Sequence, residues 1–217
     1  NISASDNIAV GSVNVSWSHG SLNGNIALNH VGNYWIGTIV LDNSLDNLTY
    51  SIQVNDTSGN YVRSQKSVPV YDNDKPSIND NTPSTATTGD PFTFNASVID
   101  NIGVSNVYVE YWYGTGSHTN VSMNNVAGDY YEYDITIPDT LETLHYIISA
   151  VDGSGNWNNT GIKNVTITDN DLPSLDADYS DSYGTTGDIY HFNISASDNI
   201  AVGSVNVSWS HGSLNGN

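Results

Sequence analysis

The chain has 217 residues, enough for one or two domains with a proper core, and sets 4 Lys+Arg against 23 Asp+Glu for a formal charge of -19. So acidic a surface repels phosphate backbones and anionic lipid, which argues against nucleic acid and membrane surfaces as partners and favours cations. No Cys is present, so disulfides and thiolate metal sites are excluded, and no apolar run is long enough for direct membrane insertion.

Almost all of the acid is Asp, because Glu occurs only as Glu110, Glu132 and Glu142. Asp favours turns and loops, where its short side chain bonds the local backbone or a metal. Internal repetition then organises the chain. The opening 25 residues, NISASDNIAVGSVNVSWSHGSLNGN, recur unchanged from Asn193 to Asn217, a period of 192 residues. A weaker copy lies at half that spacing. LTYSIQVNDTSGN (Leu48 to Asn60) matches LHYIISAVDGSGN (Leu144 to Asn156), and VYDNDKPSI (Val70 to Ile78) matches ITDNDLPSL (Ile167 to Leu175). TGDPFTFNASVIDNIGVSNVYVEYW from Thr88 matches TGDIYHFNISASDNIAVGSVNVSW from Thr186.

The unit is therefore a domain of about 96 residues in two alternating versions. Residues 1–74 read as the later part of version A, 75–171 as one complete version B domain, and 172–217 as the first strands of the next version A. The chain opens without Met inside a strand pattern and reads as an excerpt of a longer array.

Within the complete copy the periodicity is two. Phe92, Phe94, Ala96 and Val98 alternate with Thr93, Asn95 and Ser97, placing strand B at about Phe92–Ile99. Strand C follows at Asn106–Tyr113, strand F at Leu144–Val151 and strand G at Ile162–Thr168, with Gly, Asn, Asp and Pro clusters between them. Nothing reads as an amphipathic helix. Short strands at this spacing predict an all-β fold: tandem immunoglobulin-like Greek-key β-sandwiches.

The pattern Y-x-x-x-A-x-D-x-x-G-N, from Tyr146 to Asn156, resembles the late-strand signature of bacterial and archaeal immunoglobulin-like surface repeats. The earlier copy departs from it with Val54 in place of Ala150. D-N-D-x-P in the linkers resembles the calcium-binding linker of cadherins, although the full cadherin motif set is absent. The resemblance implies an extracellular, cell-surface array of archaeal type, serving as filament, stalk or adhesin shaft.

Folding such a sandwich predicts that three segments meet at one pole: the linker residues Asp72 and Asp74, the B–C loop Asp100 and Asn101, and the F–G loop Asp152 and Asn156. Clustered carboxylates repel unless a cation joins them, and Ca²⁺ takes six to eight oxygens of this kind. The second junction repeats the pattern with Asp169, Asp171 and Asp198, which are to meet the equivalent of Asp56 and Asn60 from a further copy; Asp6 is the counterpart of Asp198. Against the metal reading, Asp-Asn and Asp-x-x-Gly-Asn are also ordinary turn formers.

N-x-S/T sequons at Asn14, Asn47, Asn55, Asn95, Asn120, Asn158, Asn164 and Asn193 are glycosylation candidates, although a chain this rich in Asn, Ser and Thr makes sequons by chance. Trp17, Trp35, Tyr50 and Tyr146 read as core, whereas Tyr108, Trp112 and Tyr130 read as core or as an outward strip for surface glycans. No catalytic motif appears, and the histidines are scattered. The expected partners are copies of the chain itself or the continuing repeat, which supply the strands that the split version A domain lacks.

Overall fold

Alternation of apolar and polar residues decides which face of each strand is buried. The computed structural model describes residues 1–216 and contains only strands and loops among them. Residues 1–76 carry β1 (Val10–His19), β2 (Leu22–Ala27), β3 (Asn29–Val31), β4 (Tyr34–Ile36), β5 (Leu48–Asp56) and β6 (Tyr61–Val68). β2, β1, β5 and β6 form one antiparallel sheet in that order, while β3 and β4 make a separate hairpin. The β1–β2 hairpin turns through Gly20, whose φ of 53° lies in the left-handed region that glycine adopts without strain.

The next stretch holds β7 (Ser77–Asp80), β8 (Thr85–Thr87), β9 (Pro91–Ile99), β10 (Val104–Tyr113), β11 (Thr119–Ser122), β12 (Asn124–Ala127) and β13 (Tyr130–Thr136). It continues with β14 (Leu144–Asp152), β15 (Trp157–Asn159) and β16 (Lys163–Thr168). One sheet runs β12-β13-β9-β7 and the other β11-β10-β14-β16-β8, with β8 parallel to β16. This is the expected immunoglobulin-like Greek-key arrangement, and β9, β10, β14 and β16 fall within two residues of the predicted strands B, C, F and G. The rest of the chain holds β17 (Ser174–Asp178) paired with β18 (Ile194–Ser197), then the hairpin β19 (Trp209–His211) and β20 (Leu214–Gly216).

The chain divides into two compact units. The first comprises Asn1–Ser77, Val98–Asn106 and Ala150–Asn158; the second comprises Ile78–Ser97, Val107–Ser149 and Asn159–Asn217. In the second unit, Phe94 of β9 lies 5.2 Å from Tyr146 of β14 and 5.4 Å from Tyr111 of β10, measured between ring centres, so the two sheets meet face to face. Phe92, Ala96, Val107, Val109, Leu144 and Ile148 surround them, all buried. The Tyr146 hydroxyl donates to Asp80 Oδ2 at 2.8 Å, tying β14 to β7. Burial, and then the neighbouring Asp80 carboxylate, pushes that phenol above its ordinary value.

In the first unit β1 and β5 pack less fully. Val13 is buried, but Trp17, Trp35 and Tyr50, which the sequence places in the core, are only half-buried.

Candidate metal centre

The first unit gathers three Asp side chains, each fastened to its own loop by the turn chemistry of a short carboxylate. Asp72, in the linker after β6, accepts the Asp74 N–H on Oδ1 at 3.0 Å. Asp100, in the β9–β10 loop, accepts the N–H groups of Ile102 and Gly103 on Oδ1, both at 2.9 Å. Asp152, the last residue of β14, accepts the N–H groups of Ser154 and Asn156 on Oδ1 at 2.8 Å and the Asn156 amide on Oδ2 at 2.7 Å.

One oxygen of each carboxyl is thus held by backbone; the other takes the Asn156 amide in Asp152 and is without a donor in Asp72 and Asp100. Asp72, Asp100 and Asp152 each offer a ligand atom, and those atoms lie within 4.8 Å of one another. Oxygens bound to one Ca²⁺ sit roughly 2.3–2.6 Å from it, so any two are at most about 5 Å apart. Asp72 Oδ2 and Asp100 Oδ2 are also shut off from solvent without a hydrogen-bond donor. Buried carboxylate oxygens without a partner are costly, and a hard cation satisfies them. The donor set therefore fits calcium.

Asp152 itself is 2% exposed. Burial acts to raise its pKa, but the Asn156 amide and the backbone N–H groups of its turn prevail and hold the carboxyl below its ordinary value. It stays ionised, as a ligand must.

The remaining predicted residues frame this group. The Asn101 amide donates to Asp74 Oδ2 at 3.2 Å, and the Asn156 amide also lies 3.4 Å from the Asp72 carbonyl oxygen. Asn158 donates to the Pro76 carbonyl at 2.8 Å. Linker and loops are therefore already stitched by amides around the carboxylates.

Asp56 repeats the Asp152 turn in every bond. It accepts Ser58 and Asn60 N–H at 2.8 Å and the Asn60 amide at 2.7 Å, and the amide bond is the chief reason its carboxyl is held low. Asp6 accepts Ile8 and Ala9 N–H at 2.8 and 3.2 Å. Both serve turns, and no three-acid group includes them among the described residues.

The second junction holds only part of the expected group. Asp198 turns inward on its own loop, accepting Ile200 and Ala201 N–H at 2.9 and 3.0 Å. Its neighbour Asn199 reaches the linker instead, donating to Asp171 Oδ2 at 2.8 Å and to Asp139 Oδ1 at 3.2 Å. The buried hydroxyl of Thr88 sits 3.1 Å from both Asp169 Oδ1 and Asp171 Oδ2. Asp169, Asp171 and Asp198 do not form a three-acid group among the described residues. The loop expected to complete them is the counterpart, in a further copy, of the one after β5, and no such strand occurs among the described residues after 172. Sequence reasoning missed Thr88 and Asn199. The repeated T-G-D at Thr88 and Thr186 and the repeated D-N at Asp100 and Asp198 were the available signals.

Of the sequons, Asn47, Asn120, Asn164 and Asn193 are exposed, and Asn14 and Asn55 are half-buried. Asn95 donates to Glu132 Oε1 at 2.7 Å, and Asn158 is engaged with Pro76. The outward aromatic strip does not assemble. Tyr108 and Trp112 lie on β10 in one sheet and Tyr130 on β13 in the other. Trp112 is 8% exposed, because His118 stacks on it at 3.9 Å and His145 lies 5.4 Å away between ring centres.

Among the described residues no helix is long and apolar enough to cross a membrane. No family model matches the chain, and no curated protein matches it. Among solved structures it is similar to fibronectin(III)-like modules of Clostridium thermocellum CbhA, at 13% identity and a TM-score of 0.36, covering 77% of this chain and 83% of that one. It is also similar to the FN1–FN3 domains of chicken CNTN1, at 12% identity and a TM-score of 0.31, covering 72% of this chain and 56% of that one. The strand order described above makes the chain an all-β protein of immunoglobulin-like sandwich architecture.

Proposed function

We propose that this chain is a structural segment of an extracellular repeat protein, a surface filament, stalk or adhesin shaft of the bacterial and archaeal type. In this reading Ca²⁺ held by Asp72, Asp100 and Asp152 fixes the linker on the two loops that follow it. The observation that carries the reading is the gathering of these three carboxylates with two buried oxygens that lack donors. A short polar linker is otherwise free to hinge, and a bound ion converts it into a fixed joint. The excess of acid over base keeps such a rod soluble and supplies a single sign of charge for the ion to neutralise.

Calorimetric titration of the chelator-treated chain with calcium chloride tests the proposal. Binding is expected at about 10⁻⁴–10⁻³ M, the range of extracellular modules, and at least tenfold weaker in Asp100→Asn. No binding by the unaltered chain, or equal binding by the variant, overturns it.

A further inference from the structure

On the sheet β12-β13-β9-β7, the polar positions of three strands join into a continuous row. Asn79 donates to Asn81 Oδ1 at 2.9 Å, Asn81 to Asn95 Oδ1 at 3.3 Å, and Asn95 to Glu132 Oε1 at 2.7 Å. A carboxylate only accepts, so Glu132 sets the direction in which every amide of the row donates. Tyr130 lies two residues before Glu132 on β13, opposite the small side chain of Ser97, and is 51% exposed. These residues line a groove of about 480 Å³, within the span of about 300–1,000 Å³ that small-ligand sites occupy.

The fold does not require this row. Residues 174–197 repeat the same strand pairing: the Tyr179 N–H donates to the Asn193 carbonyl at 2.7 Å, as the Asn81 N–H does to the Asn95 carbonyl at 2.9 Å. Ser180 Oγ accepts the Asn193 N–H, as Thr82 Oγ1 accepts the Asn95 N–H, both at 3.1 Å. One extra residue is taken up at the bulge between Leu175 and Ala177. Ala177 and Tyr179 therefore stand where Asn79 and Asn81 do. Aligning GNYWI from Gly32 with GDYYE from Gly128 likewise puts Ile36 in the place of Glu132. Three of the four members of the row are replaced while the pairing persists.

Each amide uses one of its two N–H groups inside the row and keeps a second N–H and a second oxygen lone pair for a ligand. Hydroxyl groups both donate and accept, so adjacent donors and acceptors suit a polyol. The row crosses from strand to strand at roughly 4.8 Å, about the length of one sugar ring. Beside it, the exposed Tyr130 ring offers an apolar face for the C–H face of such a ring. No Lys or Arg lines the groove, and Glu132, with Asp134 two residues further along β13, repels anions. The ligand that complements this face is uncharged and rich in hydroxyls.

We propose that the groove binds a neutral saccharide chain, with Asn81, Asn95 and Glu132 bonding its hydroxyls and Tyr130 stacking on one ring. None of these residues belongs to the three-carboxylate group, so the inference does not rest on the calcium reading. A glycan on the Asn95 amide would break its bond to Glu132 and block the groove, so Asn95 stays unmodified in this reading.

The test uses the ¹⁵N-labelled chain from a host that does not glycosylate, titrated with neutral tetrasaccharides of glucose, mannose, galactose and N-acetylglucosamine. Oligogalacturonate serves as the anionic control. With at least one neutral sugar, the side-chain amide resonances of Asn81 and Asn95 are expected to shift saturably, equally in chelator, and not with oligogalacturonate. Asn81→Ala and Tyr130→Ala alter exposed positions; both should keep the unfolding midpoint and bind about tenfold more weakly. The proposal is overturned if no neutral sugar shifts these resonances or if chelator abolishes binding. Equal binding of oligogalacturonate, or unchanged affinity in both variants, overturns it too.

Discussion

Chelation of calcium should lower the unfolding temperature of the sandwich at residues 75–171, because Asp100 and Asp152 lie at the ends of its strands β9 and β14. A ligand that binds only the folded state stabilises it by RT ln(1 + [L]/Kd). With about 10 mM calcium and a Kd of about 10⁻³ to 10⁻⁴ M, that is roughly 1.4 to 2.7 kcal/mol. For a domain of this size each kcal/mol moves the midpoint by about 4–8 °C, so the shift should be about 6–20 °C. Asp100→Asn keeps an oxygen to accept the Ile102 and Gly103 N–H groups but removes one of three gathered charges. It should therefore melt at or above the unaltered chain in chelator, where carboxylate repulsion is unrelieved, and gain little from calcium. The assay is scanning calorimetry at fixed ionic strength in calcium, in magnesium and in chelator, so that screening is held constant. Equal midpoints for the unaltered chain in calcium and in chelator would refute the reasoning.

Tyr146→Phe removes a hydrogen bond to a carboxylate, Asp80, from a buried site and should cost about 1.5–3 kcal/mol in urea unfolding; a loss within experimental scatter would show the bond contributes nothing. Asp152 is held below its ordinary value of 3.8, so its contribution is present above about pH 3.8 and lost as pH falls through the lower folded value. Unfolding midpoints in calcium-free buffer should accordingly drop below about pH 3.8, and Asn156→Ala, which removes the chief bond holding the carboxyl low, should flatten that slope. Expressed in a glycosylating host, the chain should carry sugar at exposed Asn47, Asn120, Asn164 or Asn193 and not at Asn158, whose amide is engaged with Pro76; glycopeptide mass spectrometry showing Asn158 occupied would contradict this.

The candidate site was legible in the sequence as far as its turns were. Asp100, Asp152 and Asp72 announce loops by residue type alone, and each does bond its own backbone. That these three loops meet follows from the expected sandwich, whereas Asp74 taking the Asn101 amide and Asp198 staying on its own loop depend on bond geometry that no spacing encodes. The aromatic strip failed for the same reason: period two gave the strands but not which sheet each joins, and Trp112 was covered by His118 from across a strand pair.

One stretch of 25 residues, present twice, separates what sequence determines from what only tertiary structure decides. Both copies form the same hairpin tip in the same register, Trp17 to Gly24 and Trp209 to Gly216, around Gly20 and Gly212 with φ of 53° and 59°. That much is local: turn chemistry and alternation suffice. The rest diverges. Val10–His19 is a ten-residue strand with Val13 fully buried, because β5 pairs it along its length. In the later copy the strand shrinks to Trp209–His211, and Val205, the counterpart of Val13, is 50% exposed. A strand has no hydrogen bonds of its own and a single sheet face has nothing to bury against, so identical residues become a core strand only where a partner strand is supplied.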